Sequence, residues 1–366
     1  MTIHGFQNEP IKEVEDSTKY SAADIQMDMV EIVTRTCRRQ YQTSDRYKEF
    51  SRIICQWRHL KMLKQVGRGN DSHWLVAETK SGELAPSVNL PDHWEKVDKK
   101  FFFKYFLYLA EDCCFRLKRR LVSSEAKDPG LGTGASFFVE DEPFREYLKG
   151  VTDQQEMSTC TGLAALDHAN TKFSQGYATT GVGLSVCARR EFVMPNSVVD
   201  LQKGERYANM DYSFGSLLRY MDPWLTIVQL YDIVCQWSKN LYQHMRSMPL
   251  LVKENWPPKS LLFVIPKMHI PGHIRSCQDT FLLNWLPGAG RTDGEGIEQG
   301  WAHMGLVAAS TQDMGPGNRH EVLNDHFAHW NWRKLSGLGN LLKKRMREAV
   351  AQAVIHHKSL ADFSEG

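Results

Sequence analysis

This chain lacks the extremes of composition that would give away a function. Its charge is nearly balanced: 45 Lys and Arg against 43 Asp and Glu leave a formal +2 over 366 residues. A nucleic-acid partner must therefore be held by local basic patches, because no global field draws in a polyanion. No apolar run reaches the about 20 residues that a bilayer-crossing helix needs. Lys104 and Asp232 break the two best stretches, so no membrane partner is expected. Internal repeats and low-complexity tracts are missing, which excludes solenoid and fibrous architectures. The eight cysteines (37, 55, 113, 114, 160, 187, 235 and 277) show no paired spacing. With no signal-peptide pattern before them, they read as reduced intracellular thiols and not as a disulfide framework. What the chain does have is material for a core, with 42% hydrophobic residues and 10 tryptophans. A folded globular protein follows, as two domains or one large domain with insertions.

Residues 1–20 are polar and acidic without periodicity and read as a disordered tail. Residues 21–98 read as a helical region and connector. Ile25, Met29, Ile32 and Val33 make one helical stripe, and Tyr47, Phe50, Ile54, Trp57 and Lys61 another, before Gly67 and Gly69 end the pair. The main domain is expected over 99–335, with a C-terminal helix and tail over 336–366. Within it, 101–112, 182–193, 224–233 and 261–265 read as strands, and Val234–Met245 and Gly296–Met304 as helices. Strands first with helices interleaved later predict an α/β layered domain.

The chemistry concentrates in Gly290-Arg-Thr-Asp-Gly-Glu-Gly-Ile-Glu298, where Asp293, Glu295 and Glu298 fall within six residues among three glycines. Carboxylates at a helix start suit a hard divalent cation; they equally suit a plain helix N-terminus, whose dipole favours acids. Two further acids, Asp112 and Asp232, close predicted buried strands. Two strand-end acids and one helical acid are the design by which paired cations activate water and steady a leaving oxygen in phosphodiester cleavage. Against this stands the ordinary reading, in which such acids cap the next helix.

A family resemblance sharpens the choice. Asp112-Cys-Cys-Phe-Arg-Leu-Lys-Arg-Arg120, Asp128-Pro-Gly-Leu-Gly132, Gly181-Val-Gly183, and Asp200-Leu-Gln-Lys-Gly-Glu-Arg-Tyr-Ala-Asn-Met-Asp211 resemble blocks of the Kyakuja–Dileera–Zisupton (KDZ) transposases of fungal mobile elements. So do Tyr231-Asp-Ile-Val-Cys-Gln-Trp237, Pro266-Lys-Met-His269, Gly290–Glu298, and Ala308-Ala-Ser-Thr through Trp330-Asn-Trp332, all in order across about 45–340. The resemblance implies a ribonuclease-H-like mixed sheet with flanking helices and helical insertions. It also implies an Asp/Asp/Glu triad, Mg²⁺ or Mn²⁺ as cofactor, DNA (transposon ends and target) as partner, and the nucleus as location. Whether copies associate stays open. The triad maps onto Asp112, Asp232 and Glu298, which would also be the metal ligands; Asp211 rivals Asp232, and Glu295 rivals Glu298. Asp293 and His269 are candidates for supporting roles. Departures are visible too. Cys113-Cys114 stands where the family has Ala-Asn, Arg190 where it has His, and a Cys-rich insert before the Asn-Leu-Pro element is missing. Two readings follow: an active DNA-cleaving and joining enzyme, or an inactive transposon-derived protein that still binds nucleic acid or a partner.

Arg116, Lys118, Arg119 and Arg120 directly follow the first acid, and Arg291 lies in the Gly-rich stretch; these are the expected phosphate contacts. Lys343, Lys344, Arg345 and Arg347 read as a solvated helix face. His326, Trp330 and Trp332 are candidates for base stacking, against the commoner role of aromatic core. His269, His273 and Cys277 recur every four residues, with Cys235 as a distant fourth ligand. Pro271 breaks the helix that would align them, and no second ligand pair has zinc-finger spacing. Packed core residues are therefore expected there, and not a structural zinc.

Overall fold

The protein is described here by a computed structural model covering residues 90–131, 134, 136–151, 160, 175–254 and 256–365, with 50, 53, 54, 56–58, 60 and 61. The chain divides into two compact units at 54/55. In the first, Phe50, Ile53 and Ile54 are the described positions, and all are helical. The tail expected over 1–20 and nearly all of the helix pair lie outside the described residues.

Among the described residues of the second unit seven strands form: β1 (Leu107–Cys114), β2 (Arg119–Arg120), β3 (Tyr177–Thr179), β4 (Gly181–Cys187), β5 (Val199–Leu201), β6 (Ile227–Leu230) and β7 (Leu261–Val264). Five make one sheet in the order β5-β4-β1-β6-β7. β4 lies antiparallel to β1 and β5 to β4, whereas β6 and β7 run parallel to β1. Between and after them run helices α1 (Asp141–Gly150), α2 (Tyr207–Leu218), α3 (Val234–Trp237), α4 (Leu241–Ser247), α5 (Arg275–Phe281), α6 (Gly296–Met304), α7 (Ala308–Thr311) and α8 (Pro316–Glu365). The mixed α/β architecture is the one expected.

Side-chain alternation along the strands builds the two core layers. Leu107, Leu109 and Cys113 of β1 join Met210, Tyr212 and Phe214 of the wholly buried α2 on one face. Tyr108, Ala110 and Cys114 join Ile297 and Met304 of α6 and Leu323, Phe327 and Trp330 of α8 on the other. Both faces are covered, which explains why these strands read as continuous apolar runs.

Four expectations are corrected in detail. The run from Phe101 is not strand from its start: Lys99–Tyr105 is a 3-10 helix, and Trp94, Phe102 and Tyr105 form a small aromatic cluster there. β1 instead runs two residues past Asp112. Val234–Met245 is not one helix but α3 and α4, separated at Ser238–Asn240. The C-terminal helix expected from 336 begins earlier, because α8 runs from Pro316 through that point.

Candidate active site

The parity of the strands aims the acids. Asp112 shares the face of Tyr108 and Ala110, and Asp232 continues the face of Val228 and Leu230, so both meet the layer carrying α6. At the carboxyl ends of the parallel neighbours β1 and β6 a small cleft opens, lined by Glu111, Asp112, Asp232, His269, Glu295 and Glu298. The third acid arrives by a tight turn. Gly294 has φ +86°, and a Cβ there would stand 2.4 Å from Leu230 Cδ2. A Cβ on Gly296 would stand 2.6 Å from Glu191 Cγ. These glycines let the loop press against the protein's own sheet, which brings Glu298, on the first turn of α6, to the strand ends.

Burial dominates the electrostatics. It pushes the Asp112 carboxyl up to about 7, the nearby Asp232 adds to this, and the Trp301 indole N–H, which donates to Oδ2 at 2.6 Å, opposes it. Asp232 is likewise raised by burial, with His269 opposing and Glu298 reinforcing. Its Oδ1 is buried without a hydrogen-bond partner among the described residues. Two more acids crowd in from the opposite face. Glu111, beside the Gln229 amide at 3.2 Å, is held well above the carboxylate range by burial, then by Asp211 and Glu205. Glu205, which accepts from the Tyr231 hydroxyl, is pushed up to about 8 by burial and then by Asp232 and Asp112. Neither had been singled out. Glu205 lay inside the quoted Asp200–Asp211 block, and Glu111 next to Asp112, but only the folded register shows that they back the cleft.

The other candidates separate. Asp211 lies inside the α2 layer, fully buried, where Trp237 Nε1 (2.8 Å) and His244 Nδ1 (2.9 Å) satisfy its carboxylate. Glu295 is the N-cap residue of α6; its Oε1 accepts from the Met268 N–H at 2.8 Å, which braces the loop after β7. His269 sits between the two glutamates, its Nε2 3.3 Å from Glu298 Oε1 and 3.7 Å from Glu295 Oε2. Asp293 is exposed and accepts from the Glu295 N–H.

The basic strip does not act as one surface. Arg116 is exposed, with its guanidinium near Gly305 at the end of α6. Lys118 lies over the Tyr177 ring, and Arg120 pairs with Asp313 at 3.2 Å. Arg119 points inward: it is 6% exposed and its guanidinium reaches the Ser123 carbonyl, so it offers no face to a phosphate. Arg291 is exposed in the Gly-rich turn. Trp330 is core, donating to the Glu191 carbonyl, whereas Trp332 is 65% exposed.

The expectation of packed core residues and no structural zinc is not supported. His269 leaves the group for the carboxylate cleft, and Cys160 takes its place. Cys160, Cys235, His273 and Cys277 are all buried, and their ligand atoms lie within 4.8 Å of one another. Local spacing had no means of finding Cys160, which is 75 residues before Cys235.

Comparison with known proteins bears on the whole arrangement. No curated protein and no solved structure matches the chain. The model of the Kyakuja-Dileera-Zisupton transposase family matches residues 105–331, which spans β1, both strand acids, the Gly-rich turn and the buried start of α8. That is well over half of the 366 residues, and the chain belongs to the Kyakuja-Dileera-Zisupton transposase family.

Proposed function

We propose that this protein is a ribonuclease-H-like DNA transposase that cleaves and joins DNA strands at the cleft between β1, β6 and α6. The observation that carries the reading is the meeting of Asp112, Asp232 and Glu298 at one cleft from positions 120 and 66 residues apart. The mixed sheet, with its first acid on the central strand and the second just past the parallel neighbour, agrees with it.

The donor set fits a hard divalent cation. Three carboxylates converge, two of them are held towards the protonated form by burial, and Asp232 keeps an oxygen without a partner among the described residues. Such an arrangement is costly when ionised and is relieved by a positive charge. Asp112, Asp232 and Glu298 would hold Mg²⁺ or Mn²⁺, which when bound supplies an activated water and a clamp on the attacking and leaving oxygens. The chain's own groups do the positioning. Trp301 fixes the Asp112 carboxylate, His269 steers Glu298, and Glu295 ties the α6 start to the Met268 backbone. Arg116 and Arg291, both exposed, are the phosphate contacts that this reading favours. Membership of this family favours the nucleus as the protein's location.

The test is a nicking assay on plasmid DNA with Mn²⁺. Asp112→Asn, Asp232→Asn and Glu298→Gln should each lower cleavage by more than the about 10- to 100-fold that loss of an outer-shell partner costs. Glu295→Gln should retain measurable cleavage. Loss in Glu295→Gln with normal cleavage by Glu298→Gln would exchange their roles. An unaltered protein that binds DNA and never nicks it would leave the inactive, DNA-binding reading in place.

A further inference from the structure

We propose that Cys160, Cys235, His273 and Cys277 form a mononuclear tetrahedral zinc site, separate from the carboxylate cleft, which locks the back of that cleft in place. The site is independent of whether the cleft cleaves DNA.

The geometry carries the argument. Zn–S bonds of about 2.3 Å and Zn–N bonds of about 2.0–2.1 Å, set tetrahedrally, imply edges of about 3.8 Å between sulfurs and about 3.6 Å between sulfur and nitrogen. The four side chains already have such edges: Cys160 Sγ to Cys277 Sγ is 4.0 Å, Cys160 Sγ to His273 Nδ1 is 3.3 Å, and Cys235 Sγ to His273 Nδ1 is 3.5 Å. Every pair of ligand atoms lies within 4.8 Å, so one ion can reach all four, whereas a multi-iron cluster would need wider spacing. No two of these cysteines are joined by a disulfide.

The surroundings fit the same ion. The cluster is embedded in the apolar layer with Trp237, Ile265 and Ile270, where water and hard oxygen ligands are scarce. Thiolate and imidazole are the donors that a borderline-soft ion selects there. The Gln236 amide donates towards Cys235 Sγ at 3.5 Å, and the Gln278 amide donates to the His273 carbonyl at 2.7 Å. Second-layer hydrogen bonds of this kind orient metal ligands. Left without a cation, burial raises the Cys235 and Cys277 thiols and lowers the His273 imidazole. Metal loading would then release protons from the thiols.

The ligands' places in the chain give the site its purpose. Cys235 is three residues after Asp232, and His273 four after His269. Cys160 comes from the chain between α1 and β3, and Cys277 from α5. One ion would thus bind together the segments that follow β6 and β7, both of which deliver residues to the cleft, and tie them to a third.

The experiment uses the full chain expressed with zinc supplementation, desalted, and measured for metal content by mass spectrometry and for Co²⁺ exchange by absorption. The expected result is one zinc per chain. Co²⁺-exchanged protein should show intense visible bands of a tetrahedral ion and a near-ultraviolet thiolate-to-cobalt band. Asp112→Asn should keep its zinc, whereas Cys235→Ser and Cys277→Ser should lose it. If the Ser variants fail to fold, the cobalt spectrum of the unaltered protein decides alone. A folded protein that carries no zinc and gives no thiolate-to-cobalt band overturns the proposal. So does zinc that survives both Ser substitutions or that departs with Asp112→Asn, since either places the ion elsewhere.

Discussion

Asp112 shows how one residue's chemistry depends on its neighbours. Burial on a strand holds a carboxyl towards its protonated form, and the elevation of Asp112 to about 7 reflects burial first and Asp232 second. Trp301 Nε1 is the direct hydrogen-bond donor opposing that trend. Removing it with Trp301→Phe keeps an aromatic ring and takes away the donor. Mn²⁺ affinity should then fall by about 10- to 100-fold, the range for lost outer-shell partners. Calorimetric titration checks this, and unchanged affinity would reduce Trp301 to a packing role. Trp301 was legible in the sequence only as part of an apolar stripe, because indoles pack and donate with equal ease.

At the scale of elements, the start of α8 is anchored by charge as much as by packing. Arg319 is fully buried; its Nη1 pairs with Asp200 at 2.7 Å and its Nη2 donates to the Leu117 carbonyl at 2.8 Å. His320 Nε2 holds the second Asp200 oxygen at 2.8 Å. This joins α8 to β5 and to the turn after β1. Burial alone would raise the Asp200 carboxyl, yet Arg319 and His320 together hold it well below the usual range. Asp200→Asn leaves the guanidinium buried without its counter-charge, and stability should fall by about 3–5 kcal/mol, measured by urea unfolding. The pH dependence follows from the sign of the shift. A carboxyl with a depressed folded pKa binds fewer protons folded than unfolded, so its stabilisation is full above the unfolded value of about 3.9 and drains away as pH falls below it. The unaltered protein should therefore lose stability steeply on acidification below about pH 4, and Asp200→Asn should lose less over the same interval.

For the whole molecule, the carboxyls around the cleft are a standing cost that a bound cation would remove. Asp112, Asp232 and Glu205 are each raised by burial, and Asp232 is a neighbouring charge that raises the other two. A ligand that binds only the folded state stabilises it by about 2.7 kcal/mol at 100 times its Kd. Saturating Mn²⁺ should thus raise the melting temperature of the unaltered protein by several degrees. Asp112→Asn should melt higher than the unaltered protein without metal and gain little from Mn²⁺. A metal response equal in both proteins, read by scanning calorimetry, would place the cation outside this cleft.

The sequence by itself determined the family, the strand runs around Asp112 and Asp232, and the helix from Gly296 to Met304, because these rest on local patterns: apolar periodicity, ordered blocks and a glycine-marked turn. It also brought both leading triad acids and Glu298 into view as candidates. Only the tertiary structure decided where each rival lies. Asp211 and Asp232 look alike along the chain, yet the helix α2 points one at Trp237 and His244, while the end of β6 points the other into the cleft. Arg119 and Arg116 sit in one basic strip, yet Arg119 on β2 points inward while Arg116, in the turn after β1, is exposed. The thiol and imidazole cluster was least legible of all. His273, Cys277 and Cys235 were in view as candidates, but Cys160 comes from a distant point of the chain, and ligand spacing in sequence carries information only when the ligands share one local element. Proximity created by tertiary packing leaves no periodic trace, so it was the fold that joined Cys160 to Cys235, His273 and Cys277.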